Sequence, residues 1–183
     1  MHDRRLVLFP RDAHASTPDV SALIKELTTA GFVEGESRHR QGAYMPGHRF
    51  MSLITFLGCS PKVSMGDDIA NESNRYYIEV PAPTEAITVI RDAREISARC
   101  PGCGSRQSLS GSVSVEVAMV CSQCGFSAPP YEWNWRHRVG FGRVWINVWG
   151  VHEGEAVPGE ELLQRLEKLT GFAWNYAWCH EKR

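Results

Sequence analysis

The sequence predicts an α+β protein with a mixed or antiparallel sheet, two covering helices and an inserted element that carries four cysteines. Three observations lead to this prediction: two amphipathic helical segments near the ends of the chain, β-rich apolar segments beside each of them, and two cysteine pairs in between. At 183 residues, the chain is long enough for one domain, or for one domain with a small insertion.

The two helical segments share one layout. Residues 18–32 and 158–172 each begin with proline, continue with apolar residues at helical spacing and end in Gly-Phe. Proline suits a first helical turn, and glycine just beyond the last turn suits a left-handed C-terminal cap. Thr17 is the predicted N-cap of the first helix. We expect both helices to cover one sheet, whether or not the likeness reflects a duplication.

Strand candidates lie on both sides of each helix and in the middle of the chain. Residues 6–9 and 32–34 flank the first helix, and residues 144–149 and 172–176 flank the second. Residues 50–57 are almost continuously apolar, which favours a central strand buried on both faces. Residues 76–80 form a further strand candidate, and residues 84–93 fit a helix or a strand.

The four paired cysteines lie in two identical Cys-x-x-Cys-Gly brackets, at residues 100–104 and 121–125. Seventeen residues separate Cys103 from Cys121, within the spacing of a two-knuckle metal site. The glycine after each second cysteine can take a positive φ, so that the turn closes with its N–H groups towards the sulfurs. Cys100, Cys103, Cys121 and Cys124 are therefore predicted to bind one metal ion.

This element resembles a zinc ribbon, the rubredoxin-like two-knuckle module, over about residues 96–128. Four thiolates complete a tetrahedral shell, so the expected Zn²⁺ is structural, with one ion per chain. Disulfides, iron and a redox dithiol are the alternatives for these cysteines. Residues 113, 115 and 117 are valines that alternate with polar residues, which predicts a strand between the brackets, with its turn at residues 108–111.

The domain organisation and location follow from the same pattern. Residues 1–97 and 129–183 are predicted to form one α+β domain, with the ribbon inserted as residues 98–128. The apolar run before Pro10 is too short for a signal peptide, and no stretch approaches the ~20 apolar residues of a membrane span. We therefore expect a cytoplasmic protein that makes no membrane contact, whose thiols stay reduced.

Two tracts without acids combine arginine with aromatic residues. Residues 37–49 and 133–143 each carry three arginines. Such surfaces bind protein partners, where Arg, Trp and Tyr dominate the binding energy, or stack on nucleic acid. A structural alternative is that these arginines pair with acidic residues 67–68 and 153–161. The predicted partner-binding residues are Arg38, Arg40, Tyr44, Arg49, Trp133, Trp135, Arg136, Arg138 and Arg143.

The sequence thus leads to three functional hypotheses. The first is a non-catalytic zinc-binding protein that binds a macromolecular partner, a protein for preference, as an adaptor, maturation factor or toxin-neutralising protein. The second is a zinc ribbon that binds nucleic acid, although the net charge of −1 argues against non-specific coating of nucleic acid. The third is a hydrolase or transferase with Cys59 as nucleophile, for which neither a base nor an orienting acid is evident; Cys59 and Cys179 otherwise serve as packing residues.

Overall fold

The computed structural model describes residues 2–38, 40–58, 76–91, 96–109 and 111–182. In chain order the elements are β1 (His2–Pro10), α1 (Val20–Thr29), β2 (Val33–Glu36), β3 (Ala43–Pro46), α2 (Phe50–Leu53), β4 (Ile54–Phe56), β5 (Tyr77–Glu79), β6 (Thr88–Arg91), β7 (Ile96–Arg99), β8 (Arg106–Leu109), β9 (Met119–Val120), β10 (Ser127–Ala128), a 3-10 helix (Pro130–Glu132), β11 (Val139–Gly142), β12 (Ile146–Trp149), β13 (Ala156–Pro158), α3 (Glu160–Thr170) and β14 (Trp174–Lys182). This is the α+β class that the sequence predicts.

The main sheet is open and has six strands in the order β14-β1-β12-β5-β3-β2. All five neighbouring pairs are antiparallel, so the sheet is antiparallel and not mixed. Alternate residues of β1 point to opposite faces, as the two-residue period of a strand requires. Leu6 and Leu8 join the core under the helices, whereas Val7 and Phe9 join a smaller core on the other face. The sheet therefore separates two layers.

Helices α1 and α3 cover one face of this sheet, which confirms the expectation drawn from their shared layout. Leu23 and Leu27 of α1 and Leu162 and Leu166 of α3 are buried in a single cluster with the strands. Both helices end before a glycine with positive φ, 73° and 78° respectively.

The predicted N-cap of α1 is wrong. Asp19 occupies that position, and its side chain accepts a hydrogen bond from Ser21 N at 3.0 Å. Thr17 lies two residues too early in the chain to reach the free N–H groups of the first turn.

The apolar run at residues 50–57 does not form a central strand. It folds as the short helix α2 followed by β4, which pairs with β13 outside the main sheet. Leu57 is 58% exposed, while Phe50 and Leu53 are fully buried under the helices. Periodicity cannot distinguish a buried strand from a buried helical turn in so short a run, and here the burial of one helical face decides the outcome.

The opposite face of the main sheet carries the second layer. Strands β6 and β11 pair antiparallel, so the segment that fitted a helix or a strand forms a strand over its described residues 88–91. A Cβ atom at Gly140 would lie 2.6 Å from the Phe9 ring, so only glycine allows β11 to approach β1 this closely. Beyond this strand pair lies a second core, which includes two of the ribbon cysteines, Cys100 and Cys121.

Among the helices of the described residues, none combines the length and the apolar character that crossing a membrane would require.

Candidate metal centre

Two knuckles of equal geometry hold the four bracketed cysteines. The first joins β7 to β8 and the second joins β9 to β10, and both strand pairs are antiparallel. In each knuckle the glycine after the second cysteine donates its N–H to the carbonyl of the first, Gly104 to Cys100 at 2.8 Å and Gly125 to Cys121 at 2.9 Å. Both glycines have positive φ, 73° and 74°, as the sequence predicts for a closed turn.

The four sulfurs converge between the knuckles. Their Sγ atoms all lie within 4.8 Å of one another. Cys100 Sγ is 3.6 Å from Cys124 Sγ, and Cys103 Sγ is 3.7 Å from Cys121 Sγ, so each knuckle faces the other. Four thiolates at such distances can surround one metal ion at the ~2.3 Å bonds typical of zinc. The predicted convergence of these residues is confirmed, whereas the arrangement does not by itself identify the metal.

Polar neighbours help to hold the sulfurs as thiolates. Ser105 Oγ lies 3.1 Å from Cys103 Sγ and 3.2 Å from Cys121 Sγ. Its hydrogen bond is the main cause that lowers the pKa of Cys121 to about 6, and it also lowers the pKa of Cys103. Gln107 Nε2 donates to Ser105 Oγ at 3.2 Å and orients this hydroxyl. The sequence offered no signal for Ser105 and Gln107, because their part depends on the hairpin register.

The four thiols cannot all ionise without a cation among them. The N–H of Phe126 lowers the pKa of Cys124, but the neighbouring thiols, Cys103 foremost, and the hydration that Cys124 loses among them outweigh it and raise the pKa to about 12. Thus one thiol of the cluster is held protonated while another ionises readily, as expected for like charges in close contact. A divalent metal would remove this conflict by binding all four sulfurs as thiolates.

The knuckles pack against the second core through one cysteine each. Cys100 and Cys121 are each 2% exposed, whereas Cys103 and Cys124 face solvent. The buried pair packs with Trp133, Trp135 and neighbouring apolar residues.

The predicted strand at residues 113–117 and its turn are wrong, because β8 continues to Leu109 and residues 112–118 form no strand. The strands of the ribbon are instead the short pairs β7–β8 and β9–β10, one on each knuckle.

The second core extends past the predicted insertion. It joins Ile96 and Ala98 on one side of the ribbon to Trp135, Val139 and Phe141 on the other. Arg99 and Asn134 also form a β-bridge, with Arg99 N donating to Asn134 O at 2.8 Å. The division into an α+β domain and an inserted ribbon at residues 98–128 stays a prediction about independent folding.

No protein-family model matches this sequence, and the comparisons with curated proteins and with solved structures found no match either. The likeness to a zinc ribbon therefore depends on the two brackets and the convergence of their sulfurs.

The first arginine tract, residues 37–49, is mostly engaged within the fold. Arg40 lies over the rings of Tyr77 and Trp149, with its guanidinium 4.5 Å and 5.0 Å from their centroids. Arg49 pairs with Glu161 at 2.8 Å, and Tyr44 packs against the first core. Of the four predicted contact residues in this tract, only Arg38 is exposed.

The second tract, residues 133–143, contains two core residues. Trp133 and Trp135 are each 4% exposed, so they cannot offer their rings to a partner in this structure, and their assignment to a binding surface is corrected. Arg138 pairs with Glu153 at 2.5 Å, and Arg143 donates to Ala15 O at 2.8 Å. Only Arg136 among the predicted contact residues of this tract is exposed.

The tracts are attached at opposite edges of the main sheet. Residues 37–42 connect β2 and β3 at one edge, and residues 135–138 lie against β14 at the other, where His137 O accepts from Trp178 N at 2.8 Å. Five strand spacings of ~4.8 Å place these edges about 24 Å apart. The arginine pairs with Glu161 and Glu153 agree with the structural alternative, and a site shared by both tracts is not supported.

The remaining candidate residues are the two cysteines outside the brackets and the acidic residues 67–68. Cys59 and the acidic residues 67–68 lie outside the described residues, so the nucleophile hypothesis stays a prediction. Cys179 is 1% exposed, in the small core between β14 and β6.

Proposed function

We propose that this protein is a non-catalytic zinc-binding protein in which a structural Zn²⁺ supports a surface for a protein partner. The observation that carries the proposal is the convergence of four cysteine sulfurs within 4.8 Å. Four protein ligands complete the tetrahedral shell of zinc and leave no coordination position for water or substrate. A closed shell of this kind stabilises a fold and performs no hydrolysis.

Zinc is favoured over iron by the setting of the cluster. Zinc is the usual metal of closed four-thiolate sites on paired hairpins, and it needs no redox partner. Protein produced in a reducing cytoplasm with zinc and iron both in the medium should contain one zinc and no iron per chain. Elemental analysis of the purified protein measures this directly. A visible absorption spectrum of ferric thiolate, with iron in place of zinc, would contradict the assignment.

The composition of the ribbon favours a protein partner over nucleic acid. The ribbon, residues 98–128, contains two arginines, Arg99 and Arg106, one glutamate and no lysine or histidine, and no basic residue follows Arg106 before residue 136. Nucleic-acid binding depends on several cations that neutralise phosphates, and two arginines supply few of them. Val117 and Val120 are each 64% exposed beside the second knuckle. Exposed apolar side chains on a metal-stapled element are suited to packing against another protein.

Affinity capture with immobilised protein tests the partner class. We expect the same protein to be retained from nuclease-treated and untreated extracts of the source cell, and to be retained at high salt. The double variant Val117→Ser, Val120→Ser should lose it, since apolar contacts near the centre of an interface carry much of its energy. Leu169→Ser is the matched control, because this exposed leucine lies on α3, in the helical layer on the other face of the main sheet.

Two results would contradict this proposal. Capture that disappears with nuclease and falls steeply with salt would favour nucleic acid and the second hypothesis. Equal retention by the double-valine variant would remove the ribbon from the contact surface. In that case Arg38→Gln, which alters the exposed arginine of the first tract, tests whether that predicted contact residue binds the partner.

A further inference from the structure

A donor-rich cleft lies between the main sheet and the second core. Its volume is about 180 Å³, and its floor consists of buried aromatic and apolar side chains. Arginine, asparagine and histidine side chains also line it, from Arg11, Asn134, Arg136, His137 and Asn175, together with Tyr131 and Tyr176. The cleft is separate from the metal centre and from the exposed valines of the ribbon.

The asparagines of the cleft have their acceptor atoms already engaged. Asn134 Oδ1 accepts from Arg136 N at 3.0 Å, and Asn175 Oδ1 accepts from Tyr176 N at 2.9 Å. The Nδ2 amide groups are thereby left as donors, with no acceptor recorded for them in the part of the chain that the structure describes. Both asparagines thus offer N–H groups to the cleft, while each Oδ1 already accepts one hydrogen bond within its own turn.

The charged residues of the cleft are also donors. Within the described ranges, neither Arg11 nor Arg136 has a side-chain ion pair, and none of the lining residues is acidic. Asp12, beside Arg11, directs its carboxylate to His14 N at 2.9 Å. His137 Nδ1 donates to Tyr176 O at 2.9 Å, and its ring stacks on Tyr176 at 4.1 Å, so the ring orientation is fixed.

The turn that presents Arg136 and His137 is strained. Their φ angles are 51° and 59°, and Arg138 N donates to Trp135 O at 3.1 Å, so residues 135–138 form a turn of type I′. This turn strongly prefers Asn-Gly at its two central positions. Two bulky residues in left-handed conformation are uncommon, and backbone strain of this kind concentrates at ligand sites. The strained turn holds the side chains of two cleft residues in place.

From these observations we propose that the cleft binds the phosphate group of a small phosphate monoester. Two guanidinium forks and two amide NH₂ groups supply more donors than the two oxygens of a carboxylate can accept. A phosphate monoester offers three strong acceptor oxygens and close to two negative charges at pH 7. The volume matches about six water molecules at ~30 Å³ each. A phosphate with a few attached atoms fits, and the rest of the ligand extends into solvent.

Titration calorimetry at constant ionic strength, with phenyl phosphate as the probe and benzoate as its carboxylate counterpart, tests the proposal. We expect saturable binding of phenyl phosphate and at least tenfold weaker binding of benzoate. Arg11→Gln and Arg136→Asn should each weaken the binding of phenyl phosphate about tenfold or more, since each removes charged hydrogen bonds. Arg106→Gln, an exposed arginine on β8 outside the cleft, should leave it unchanged.

Arg136→Asn separates the loss of binding from the loss of folding. Asparagine adopts the left-handed conformation more readily than arginine. The variant should therefore melt at the same temperature as the parent protein or about 2 °C higher. This expectation holds whether or not the cleft binds phosphate.

Three results would overturn the proposal. The first is the absence of saturable binding of phenyl phosphate up to about 10 mM, beyond the range of useful affinity. The second is equal binding by the parent protein and by Arg11→Gln and Arg136→Asn. The third is a short RNA oligonucleotide that displaces phenyl phosphate at much lower concentration, which would assign the cleft to nucleic acid. None of these depends on whether the ribbon binds a protein partner.

Discussion

In protein that carries Cys103→Ser, we expect the metal content to fall from one ion per chain to nearly none. A serine hydroxyl is not ionised near neutral pH, so three thiolates remain to bind the metal. Structural zinc contributes roughly 10–16 kcal/mol to the folding of small zinc-finger peptides at pH 7. Without the ion, the knuckles lose the interaction that holds their crowded sulfurs together. Elemental analysis measures the loss.

The same substitution should unfold the layer that contains the second core and leave the main sheet and its helices folded. Cys100 and Cys121 belong to the second core, so we expect faster hydrogen exchange in β7 to β10 and also in residues 129–141. Strands β1, β12 and β14, with the core under α1 and α3, should keep their protection because their apolar contacts do not involve the ribbon. Hydrogen exchange followed by mass spectrometry distinguishes the two regions.

Gln123→Ser is the matched control for Cys103→Ser. It alters an exposed residue of the second knuckle and retains all four thiols. Its metal content and exchange should equal those of the parent protein. If Cys103→Ser instead accelerates exchange throughout the chain, the ribbon is integral to the whole fold and its treatment as an insertion is wrong. If the variant retains one metal ion, the four-thiolate site itself is wrong.

The cysteine knuckles could be predicted from sequence because they depend on local geometry. A Cys-x-x-Cys pair with a following glycine defines its own turn, and the two turns need only a hairpin on each side to meet. The helices were predictable for a similar reason, since the spacing of Leu23 and Leu27 and the terminal Gly31 act within single turns. The sheet order was not predictable, because it depends on pairings between distant segments.

Two apolar segments show that composition alone does not predict a strand. Residues 50–57 and 113–117 both have strand-like composition, yet the first begins as a helical turn and the second forms no strand. In each case the outcome depends on which neighbours bury the side chains. β-propensity mainly measures how a residue fits a half-buried surface, so it fails where no such surface forms.

The tryptophans of the second tract were misassigned for a related reason. Trp and Arg are the residues of interface hot spots, but Trp is also among the largest core residues. Trp133 and Trp135 alternate with Asn134 and Arg136, so one side of this segment points into the second core and the other towards solvent. The sequence shows the alternation but does not show which side is covered.

The burial of Trp135 gives the second large expected effect. Trp135→Ala should lower the free energy of unfolding by about 3–5 kcal/mol, a large part of the 5–15 kcal/mol typical of a domain. The indole packs against Phe141 at 5.9 Å between ring centroids and donates from Nε1 to Pro130 O at 2.7 Å. Its removal leaves a cavity in the second core and an unsatisfied carbonyl. Urea denaturation of the metal-loaded protein measures the change.

Two further variants separate the causes of this effect. Trp135→Phe keeps an aromatic ring but removes the donor to Pro130, so we expect an intermediate loss of about 1–3 kcal/mol. Arg38→Ala, at an exposed position of the other tract, should change stability by no more than about 0.5 kcal/mol. If Trp135→Ala leaves stability nearly unchanged while abolishing capture of a partner, the ring serves binding and not the core. Trp135 also lines the floor of the cleft, so Trp135→Ala should lose phosphate binding together with stability. Arg136→Asn, by contrast, should lose phosphate binding and keep its stability.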